Sequence, residues 1–414
     1  MADALPLVIA GAGIGGLTAA LALSRAGRRT IVLEQADRLA EVGAGIQLSP
    51  NASRILDALD LGLALDRHAV TPDWLKVHSV RAGGEVLRMP LGRGIEQRYG
   101  APYRVIHRAD LLDALATAAQ TDRNVEIRLG TRLRRAEAAP GRISIEARTP
   151  TGPATIEAAA LIGADGVRSR VRTHVLGGPL ARYSGRTAYR AVVPIGQIPA
   201  EHRRSTGLWM GPHGHLVHYP LHGGETFNLV AVIESDWEDD GWSVPATRRE
   251  VLDAFASWPQ AARDLLALPQ DWTKWALCGV DPDFAWVGGH VAVLGDAAHA
   301  MLPFAAQGGA MAIEDAAVLA AHLADPAADI AMALAAYEAE RKPRAKAVVE
   351  LARTNGRIYH LPDALAFLRD AGMRIAGADR LAARQDWIWR WRPPAETLSK
   401  SGGAKSAGGL RRSG

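Results

Sequence analysis

The chain is almost without cysteine: Cys278 is the only one among 414 residues. A single cysteine cannot form an intrachain disulfide, and a chain of this size without disulfides is typical of a reducing compartment. We therefore expect a cytoplasmic protein.

Dense blocks of one charge are also scarce. The chain has 48 Lys and Arg against 44 Asp and Glu, and its arginines are scattered apart from the terminal stretch 410–412. Nucleic-acid-binding domains carry their basic residues in clusters. The charge pattern therefore argues against a nucleic-acid partner and fits a solvated surface rich in arginine.

Long apolar runs are missing too. A helix that crosses a bilayer needs about 20 consecutive apolar residues, and the apolar N-terminal segment is interrupted by the glycines of segment 11–16. This segment has no basic leading region, so it does not match a signal peptide. With 48% hydrophobic residues the chain can still bury a large core. Its length predicts two or three lobes, and we expect no membrane association.

What the chain does contain is a glycine fingerprint near its start. The segment GAGIGG at 11–16 follows an apolar strand-like run and opens a helix-forming run, with Ile14 at the helix start. Gly11 permits the tight turn, Gly13 lets a pyrophosphate approach the backbone, and Gly16 lets the helix pack closely on the strand. The pattern predicts a dinucleotide site.

Glu34 follows the second predicted strand, where the fold offers an acceptor to a ribose hydroxyl. The fingerprint alone does not separate FAD from NAD, because both present an ADP half to the same turn. A later segment, GDAAH at 295–299, delivers Asp296 beyond the end of a strand, where it can accept hydrogen bonds from a ribitol chain. The segment QGG at 307–309 then opens a helix whose N–H groups can face a pyrophosphate or a flavin ring.

The order of predicted elements indicates an α/β protein. Strand-like and helix-like segments alternate from the N-terminus, which is typical of a Rossmann-like domain, a mainly parallel sheet with helices packed on it. The segment 187–234 instead has strands separated by Gly and Pro turns, which predicts an inserted, mostly antiparallel sheet. The predicted units are a discontinuous nucleotide-binding domain at 1–180 and 285–350 with some substrate-domain strands within 70–105, a substrate domain at 181–284, a C-terminal helical segment at 351–398 and a disordered tail at 399–414.

Together these motifs resemble the class A flavoprotein monooxygenases, the aromatic-ring hydroxylases related to salicylate, 3-hydroxybenzoate and 6-hydroxynicotinate hydroxylases. The resemblance covers about residues 5–353 and is specific for fold and flavin, and much less so for substrate. The motifs that carry it are GAGIGG at 11–16 with Glu34, GAGIQ at 43–47, HRADL at 107–111, the Asp165-Gly166 segment, GDAAH at 295–299 and PFAAQGG at 303–309.

The resemblance implies FAD as the cofactor and NADH or NADPH as a transient reductant. No second GxGxxG occurs in the chain, which agrees with transient nicotinamide binding. It implies Arg108 near the pyrophosphate or ribitol, Leu133 near the adenine, and a role for Asp165 toward both FAD and nicotinamide. The implied cofactor residues are Gly11, Gly13, Ile14, Gly16, Glu34, Gln47, Arg108, Leu133, Asp165, Asp296, Gly309 and Ala310.

The chemistry that follows is ring hydroxylation through a flavin hydroperoxide, whose distal oxygen needs an electron-rich carbon. A phenol is activated by losing its proton, and histidine is the usual base. His215 and Tyr219 lie four apart on a predicted strand and so share a face, and in the resembling hydroxylases these positions carry the base and its hydroxyl partner. We expect His215 as base, Tyr219 as orienter or relay, and Gln307 to position the substrate.

A structural role remains the competing interpretation for these residues, because a His or Tyr on a half-buried strand often only packs. His213, His215, His218 and His222 crowd one segment, but no Cys or carboxylate joins them at ligand spacing in the sequence, and we expect no metal.

The expected substrate is a small phenolic acid of the hydroxybenzoate or salicylate type, together with O2. A hydroxypyridine is disfavoured, because Gln47 and Phe304 stand where hydroxynicotinate hydroxylases carry His. Two alternatives stay open: a related flavin oxidase or epoxidase acting on another aromatic or bicyclic compound, and a catalytically silent FAD-binding regulatory protein. We expect a monomer or homodimer.

Overall fold

The computed structural model describes residues 5–39 and 45–394. The tail at 399–414, for which the sequence predicts disorder, and positions 43 and 44 of the GAGIQ motif lie outside the described residues.

The elements alternate between strands and helices for most of the chain. The strands are β1 (Leu7–Ala10), β2 (Thr30–Leu33), β3 (Gly45–Leu48), β4 (Trp74–Ser79), β5 (Gly84–Pro90), β6 (Arg104–His107), β7 (Val125–Arg128), β8 (Arg132–Ala139), β9 (Arg142–Thr149), β10 (Gly152–Ala158), β11 (Ala160–Gly163), β12 (Arg182–Pro194), β13 (Ser205–Gly211), β14 (Gly214–Leu221), β15 (Thr226–Glu234), β16 (Ser243–Thr247), β17 (Asp271–Gly279), β18 (Val287–Gly288) and β19 (Val291–Val293). The α-helices are α1 (Ile14–Arg25), α2 (Pro50–Ala58), α3 (Gly62–Asp66), α4 (Gly92–Tyr99), α5 (Arg108–Thr121), α6 (Arg248–Ala254), α7 (Gln260–Leu266), α8 (Asp296–His299), α9 (Gly308–His322), α10 (Ile330–Tyr359), α11 (Asp363–Ala383) and α12 (Asp386–Trp389).

A six-stranded sheet in the order β18-β19-β11-β1-β2-β7 forms the nucleotide-binding side. All its pairings are parallel except that of β18 with β19. Strands β1, β2 and β11 are apolar and buried along their whole length, as expected of a parallel sheet covered on both faces. The carboxyl ends of β1, β11 and β19 therefore meet at one edge, where ligands of such sheets bind.

An eight-stranded sheet in the order β16-β17-β12-β15-β14-β13-β4-β5 forms the second lobe. Its pairings are antiparallel except that of β13 with β4. Strands β4 and β5 come from residues 74–90, so the chain enters this sheet before it completes the nucleotide-binding side. The domain boundaries given above remain our interpretation of this arrangement.

One face of the large sheet packs on helices α6 and α7. Trp209, Leu216 and Phe227 from the strands form a buried cluster with Val251 and Leu265 from the helices. Because side chains alternate along a strand, His215, Val217 and Tyr219 point to the opposite face, which lies against the nucleotide-binding side.

Long helices complete the fold after β19. Helix α10 runs for 30 residues, begins at an Asp329 cap that accepts a hydrogen bond from the Met332 amide, and ends at His360. It thereby carries residues from the nucleotide-binding side to the large sheet. Helix α12 follows, and its Trp389 packs edge-on against Tyr99 at 5.4 Å.

The fold class expected from the sequence, an α/β protein with an inserted antiparallel sheet and a C-terminal helical segment, is confirmed. Among the helices that the structure describes, none is both long and apolar enough to cross a membrane.

Candidate active site

The turn between β1 and α1 has the shape of a nucleotide cradle. Gly11 has φ +106°, and a Cβ there would lie 2.4 Å from the carbonyl oxygen of Ala164. A Cβ at Gly16 would lie 2.0 Å from the carbonyl oxygen of Gly11, so both positions require glycine. A Cβ at Gly13 would instead meet nothing within 4 Å, which leaves its backbone open to a phosphate group.

Glu34 supports the same turn. Its Oε2 accepts a hydrogen bond from the Ala12 amide at 3.0 Å, and its Oε1 accepts one from the Ala36 amide at 2.9 Å. The carboxylate is thus fixed beside the glycine turn with remaining lone pairs for a ribose hydroxyl. Leu133 lies near this end of β2, because the amide of Thr131 donates to the Glu34 carbonyl at 2.7 Å. Its side chain is part of the main core.

The loop after β19 carries Asp296, the residue predicted to accept hydrogen bonds from a ribitol chain. Asp296 is exposed, although the residues on either side of it are buried. Helix α9 begins close by at Gly308 without a side-chain cap, so its first N–H groups are available to a ligand. A Cβ at Gly309 would lie 2.5 Å from Ile46 of β3, so helix and strand approach closely there, and Ala310 behind it is fully buried. The donor set at this edge fits FAD.

A group of buried charges, here called the Asp315 network, locks this edge in place. Asp315 accepts from the Gly295 amide at 2.9 Å and from Arg341 Nε at 2.7 Å, and its Oδ2 lies 2.6 Å from His299 Nε2. Burial alone would raise the pKa of Asp315, but His299, Arg341 and the Gly295 amide lower it to about 2. The network comprises His299, Glu314, Asp315, Arg341 and Arg344, and Glu314 pairs with both arginines.

The Gln307 side chain is hydrogen-bonded to residues that lead into this network. Its Nε2 donates to Ser49 Oγ at 2.9 Å, and its Oε1 accepts from Asn51 Nδ2 at 3.2 Å. Asn51 in turn donates to Glu314 Oε1 at 2.7 Å. Both ends of the Gln307 amide are therefore engaged, and its assigned role in substrate positioning stays a prediction that would require this side chain to change partners.

Asp165 also has a local role that the sequence did not reveal. Its Oδ2 accepts from the amides of Arg170 at 2.7 Å and Val171 at 3.1 Å, and so holds the start of the helical turn Val171–Val175. Its Oδ1 is buried without a hydrogen-bond partner. Arg172, on the same turn, donates to the carbonyl of Ala297 at 2.8 Å and thereby ties this segment to α8.

Gln47 lies on β3, and Arg108 directly follows its partner strand β6. Gln47 is on β3 opposite Val105 of β6, and its Oε1 accepts a hydrogen bond from the Tyr103 hydroxyl. Arg108 is the first residue of α5, directly after β6. Both side chains thus belong to the layer between the two large sheets, and their roles toward FAD remain predictions.

The face of the large sheet opposite α6 and α7 carries both the expected base and the expected hydroxyl group. His215 and Tyr219 are buried on the same face of β14, with exposed fractions of 2% and 4%. The His215 ring packs edge-on against Phe304 of the loop 300–307 between α8 and α9, here called the flavin-side loop, with centroids 4.9 Å apart. Tyr219 touches β3, since a Cβ at Gly45 would lie 2.4 Å from its ring. Burial raises the pKa of Tyr219, so its hydroxyl stays a donor.

His215 has a partner that no motif indicated. Its Nδ1 lies 2.8 Å from Nε2 of His360, the residue that ends α10. The Nδ1 of His360 lies 3.3 Å from Oε1 of Glu234, at the end of β15. Burial, with smaller contributions from His360 and Arg186, lowers the pKa of His215 well below its ordinary value. The ring is therefore neutral at pH 7.

Arg190 is a second site residue missed at the level of sequence. It lies on β12 opposite Val230, which in turn pairs with Val217, so it shares the face that carries His215 and Tyr219. Its Nε is buried without a hydrogen-bond partner, and its guanidinium faces the Trp275 ring at 5.3 Å. Burial and the nearby Arg108 lower its pKa to about 10. A partly buried cation of this kind favours an anionic ligand.

One group of side chains bears on the expectation that no metal is bound. His107, Asp110 and His222 place potential ligand atoms within 4.8 Å of one another. A carboxylate, that of Asp110, does therefore lie beside one histidine of the crowded segment, His222. The sequence argument against a metal site, that no carboxylate joins these histidines, was wrong on this point. Other contacts engage these rings: His107 Nδ1 accepts from the Ala109 amide at 3.3 Å, and His222 Nδ1 lies 2.8 Å from Thr226 Oγ1. The absence of a metal stays a prediction.

Comparison with known proteins matches this geometry. The sequence profile of the FAD binding domain family matches residues 4–352. The chain is 41% identical over 396 residues to 3-hydroxybenzoate 6-hydroxylase 1 of Aquipseudomonas alcaligenes, covering 95% of this chain and 98% of that protein. It is 38% identical over 388 residues to 3-hydroxybenzoate 6-hydroxylase of Polaromonas naphthalenivorans (strain CJ2), covering 94% and 96%. The crystal structure of Klebsiella pneumoniae HpxO complexed with FAD and uric acid superposes with a TM-score of 0.80 at 26% identity, covering 92% and 95%.

Proposed function

Because the chain belongs to the FAD binding domain family and, within it, to the class A flavoprotein aromatic hydroxylases, we propose that it hydroxylates the ring of a phenolic acid of the hydroxybenzoate type. One atom of O2 enters the ring, the other leaves as water, and NADH or NADPH is oxidised. Bound FAD supplies the electrophilic oxygen. The observation that carries the proposal is His215, buried on the sheet face beside the flavin-side loop.

His215 is the proposed base. Its Nδ1 is engaged by His360, and its Nε2 makes no hydrogen bond to another residue of the described ranges. An unprotonated Nε2 can take the proton of a phenolic hydroxyl at hydrogen-bond distance. Loss of this proton raises the electron density of the ring carbons next to the oxygen and opposite it. These are the positions at which such a ring accepts an electrophilic oxygen.

Tyr219 and the apolar walls orient the ring. The Tyr219 hydroxyl, kept protonated by burial, can donate a hydrogen bond to a phenolate oxygen or a carboxylate. Phe304 and Trp275 provide aromatic surface on either side of the face. These surfaces exclude water and so protect the reactive oxygen from unproductive loss.

Arg190 supports an acid as the substrate. A guanidinium can hold a carboxylate with two parallel hydrogen bonds, and Arg190 makes no ion pair with a carboxylate of the described residues. We propose that it binds the substrate carboxylate and leaves the hydroxyl to His215. The distance between the two anchors on the sheet then selects where the carboxylate and hydroxyl stand on the ring.

The test is purification with FAD, followed by NADH and NADPH oxidation in the presence of 3-hydroxybenzoate, salicylate and other phenolic acids. We expect one of them to stimulate oxidation and to yield a product that carries label from ¹⁸O2. A flavoprotein that oxidises the nicotinamide at one rate with every acid, or a product without label, would overturn the proposal. Unlabelled product would indicate an oxidase. A colourless protein that does not bind added FAD would be neither a hydroxylase nor an oxidase.

For assembly and location we propose a monomer or homodimer in the cytoplasm. The location is supported by the single cysteine, which at half-burial has no disulfide partner. Size-exclusion chromatography with light scattering measures the assembly state.

A further inference from the structure

Three polar side chains on three different elements form a continuous path from the candidate base to the surface. His215 lies on β14, His360 ends α10 and Glu234 ends β15. The Nδ1–Nε2 distance between the two rings is 2.8 Å, and the Nδ1–Oε1 distance from His360 to Glu234 is 3.3 Å. Exposure rises along the path, from 2% at His215 through 6% at His360 to 37% for the Glu234 side chain.

The hydrogen bonds along this path fix which nitrogens carry protons. A carboxylate only accepts, so His360 Nδ1 must donate to Glu234. His360 is then unprotonated at Nε2 as a neutral ring and must accept from His215 Nδ1. His215 is consequently unprotonated at Nε2, which is the form that a base requires. The exposed Glu234 therefore determines the tautomer of a fully buried ring.

Glu234 has two further side-chain partners besides His360. Arg186 NH2 lies 3.1 Å from its Oε1, and the exposed His213 Nδ1 lies 2.9 Å from its Oε2. Burial alone would raise the pKa of Glu234, but hydrogen bonds from His213 and His360 and the nearby Arg186 lower it. Burial lowers the pKa of His360 to about 4, so this ring is neutral at pH 7.

Packing alone does not account for two histidines here. Their neighbours Phe304 and Tyr359 are aromatic, and a pair of apolar rings would fill the same space without burying four ring nitrogens. Buried polar groups that packing does not require are typical of functional sites.

We propose that His360 and Glu234 act with His215 as a proton relay, the His215 relay, which sets the tautomer of the base and carries the phenolic proton to the surface. The proposal rests on the proposed function, and it names His360 and Glu234 as positioning residues that act through His215.

The transfer balances without any further reactant. The phenolic proton passes to His215 Nε2, the Nδ1 proton of His215 passes to His360 Nε2, and the Nδ1 proton of His360 passes to Glu234 and then to water. The phenol oxygen keeps the electron pair of its O–H bond. When the hydroxylated ring carbon later loses its hydrogen, that oxygen takes a proton back along the same path, and both rings recover their starting tautomers.

The experiment measures phenol ionisation in the oxidised holoenzyme, without turnover. The probe is 3-hydroxy-4-nitrobenzoate, a phenolic acid whose ionised form absorbs visible light. We expect Glu234→Gln and His360→Phe to raise the apparent pKa of the bound phenol by about one unit. We also expect both to slow proton release, followed with a pH indicator after rapid mixing, by about tenfold to a hundredfold. Glu234→Asp should restore most of the rate.

The matched control is His213→Asn. It removes one of the other hydrogen bonds to the same carboxylate, at a residue that is 76% exposed. Glu234 keeps Arg186 as a partner, and an ordinary glutamate is already ionised at pH 7. Asparagine tolerates the φ of +58° found at this position. We expect its phenol ionisation and proton release to stay within about twofold of the parent, well inside the effect of a lost proton-transfer group.

The outcomes separate the relay from the function. Parent-like ionisation and release in Glu234→Gln would refute the relay even if the parent hydroxylates phenolic acids, and so would an equal loss in His213→Asn. A parent that binds none of the phenolic acids would refute the proposed function first. Should His360→Phe fail to fold, Glu234→Gln still decides, because it changes an exposed side chain.

A second readout does not depend on any ligand. In protein labelled with ¹⁵N-histidine, the His215 signals, identified by their loss in His215→Ala, should show a protonated Nδ1 and an unprotonated Nε2 at pH 7. In Glu234→Gln we expect a mixture of the two tautomers. A protonated Nε2 in the parent would overturn the proposal.

Discussion

Two buried polar systems, one beside the loop after β19 and one on a face of the large sheet, are built on different principles. The Asp315 network holds carboxylates and guanidiniums that neutralise one another, and its central residues are fully buried. The His215 relay holds neutral rings and reaches the surface through a half-exposed carboxylate. The histidine and both carboxylates of the first system are fully buried, whereas the carboxylate of the second is exposed.

The difference reflects what each side must do. Charges that are paired and hydrogen-bonded in the interior resist displacement, because separating them leaves an uncompensated charge. This suits the loop with Gly295 and Asp296, which must keep its shape for a cofactor. Neutral rings can change protonation with small rearrangements, which suits a base.

Asp315→Asn should destabilise the whole protein, because Arg341 loses one of its two buried counter-charges and His299 loses its carboxylate partner. We expect a loss of about 3–5 kcal/mol in the free energy of unfolding, the usual range for one broken buried pair. The measurement is urea unfolding of the FAD-loaded protein. The control is Glu340→Gln, which breaks a half-exposed pair of the same kind with His322 and should cost less than about 1 kcal/mol. Equal losses in both variants would contradict the contrast.

His215→Ala should leave the FAD content nearly intact and act on the chemistry. We expect hydroxylation to slow by about 10²–10⁴-fold, the usual contribution of a general base. Product formation is measured against the flavin absorbance of the same sample. His213→Asn, two residues away on the same segment, should keep the parent rate. A parent rate and pH profile in His215→Ala would remove the base from the mechanism.

Arg190→Met should weaken binding of the acid more than it slows turnover. Loss of a charge-assisted hydrogen bond costs about 1.5–3 kcal/mol, which corresponds to a KM raised about tenfold to a hundredfold. The matched control is Arg182→Met, an exposed arginine on the same strand. Binding of 3-hydroxybenzamide, which lacks the carboxylate, should change little in either variant. If the acid and the amide lose affinity equally, Arg190 does not hold the carboxylate.

Acid should destabilise the two sides in different pH windows. Burial lowers the pKa of His78 and of His360 to about 4, whereas unfolded histidine titrates near 6.5. The unfolded chain then binds more protons, so stability falls as the pH drops from about 6.5 toward 4. At pH 5 each ring lowers the free energy of unfolding by on the order of 1–2 kcal/mol relative to neutral pH.

Asp315, with a pKa of about 2 in the folded state, responds to acid in a lower pH window. Its stabilising contribution is complete above the ordinary pKa near 4 and is lost only as the pH falls toward 2. Urea unfolding at pH 7, 5.5 and 4.5 checks the histidine window. His78→Phe and His360→Phe should flatten the slope, while the half-exposed His322→Gln should not. A stability that is constant between pH 7 and pH 5 would contradict this account.

The sequence predicted what depends on local geometry. The roles of Gly11 and Gly16 follow from a turn that excludes a Cβ, and the shared face of His215 and Tyr219 follows from strand alternation. These rules need only residue type and spacing within one segment. The α/β fold could be predicted for the same reason.

The rest depends on contacts between distant segments. His360 lies 145 residues from His215 in sequence, and no periodicity connects the end of a helix with a strand so far away. Arg190 was overlooked because its significance is a missing partner, which only the folded chain reveals. The motifs predicted roles toward the ligand for Gln307 and Asp165, but they could not show that neighbouring side chains and amides already engage these two residues.

Helix α10 has a mechanical consequence for both systems. Arg341 near its middle anchors the Asp315 network, and His360 at its end enters the relay. At about 1.5 Å per residue, the helix sets a separation of roughly 28 Å between these two points. The length of the helix therefore fixes this spacing. One inserted residue would turn the His360 ring about 100° around the helix axis and separate it from the His215 ring. We therefore expect that this interval tolerates substitutions but no change of length.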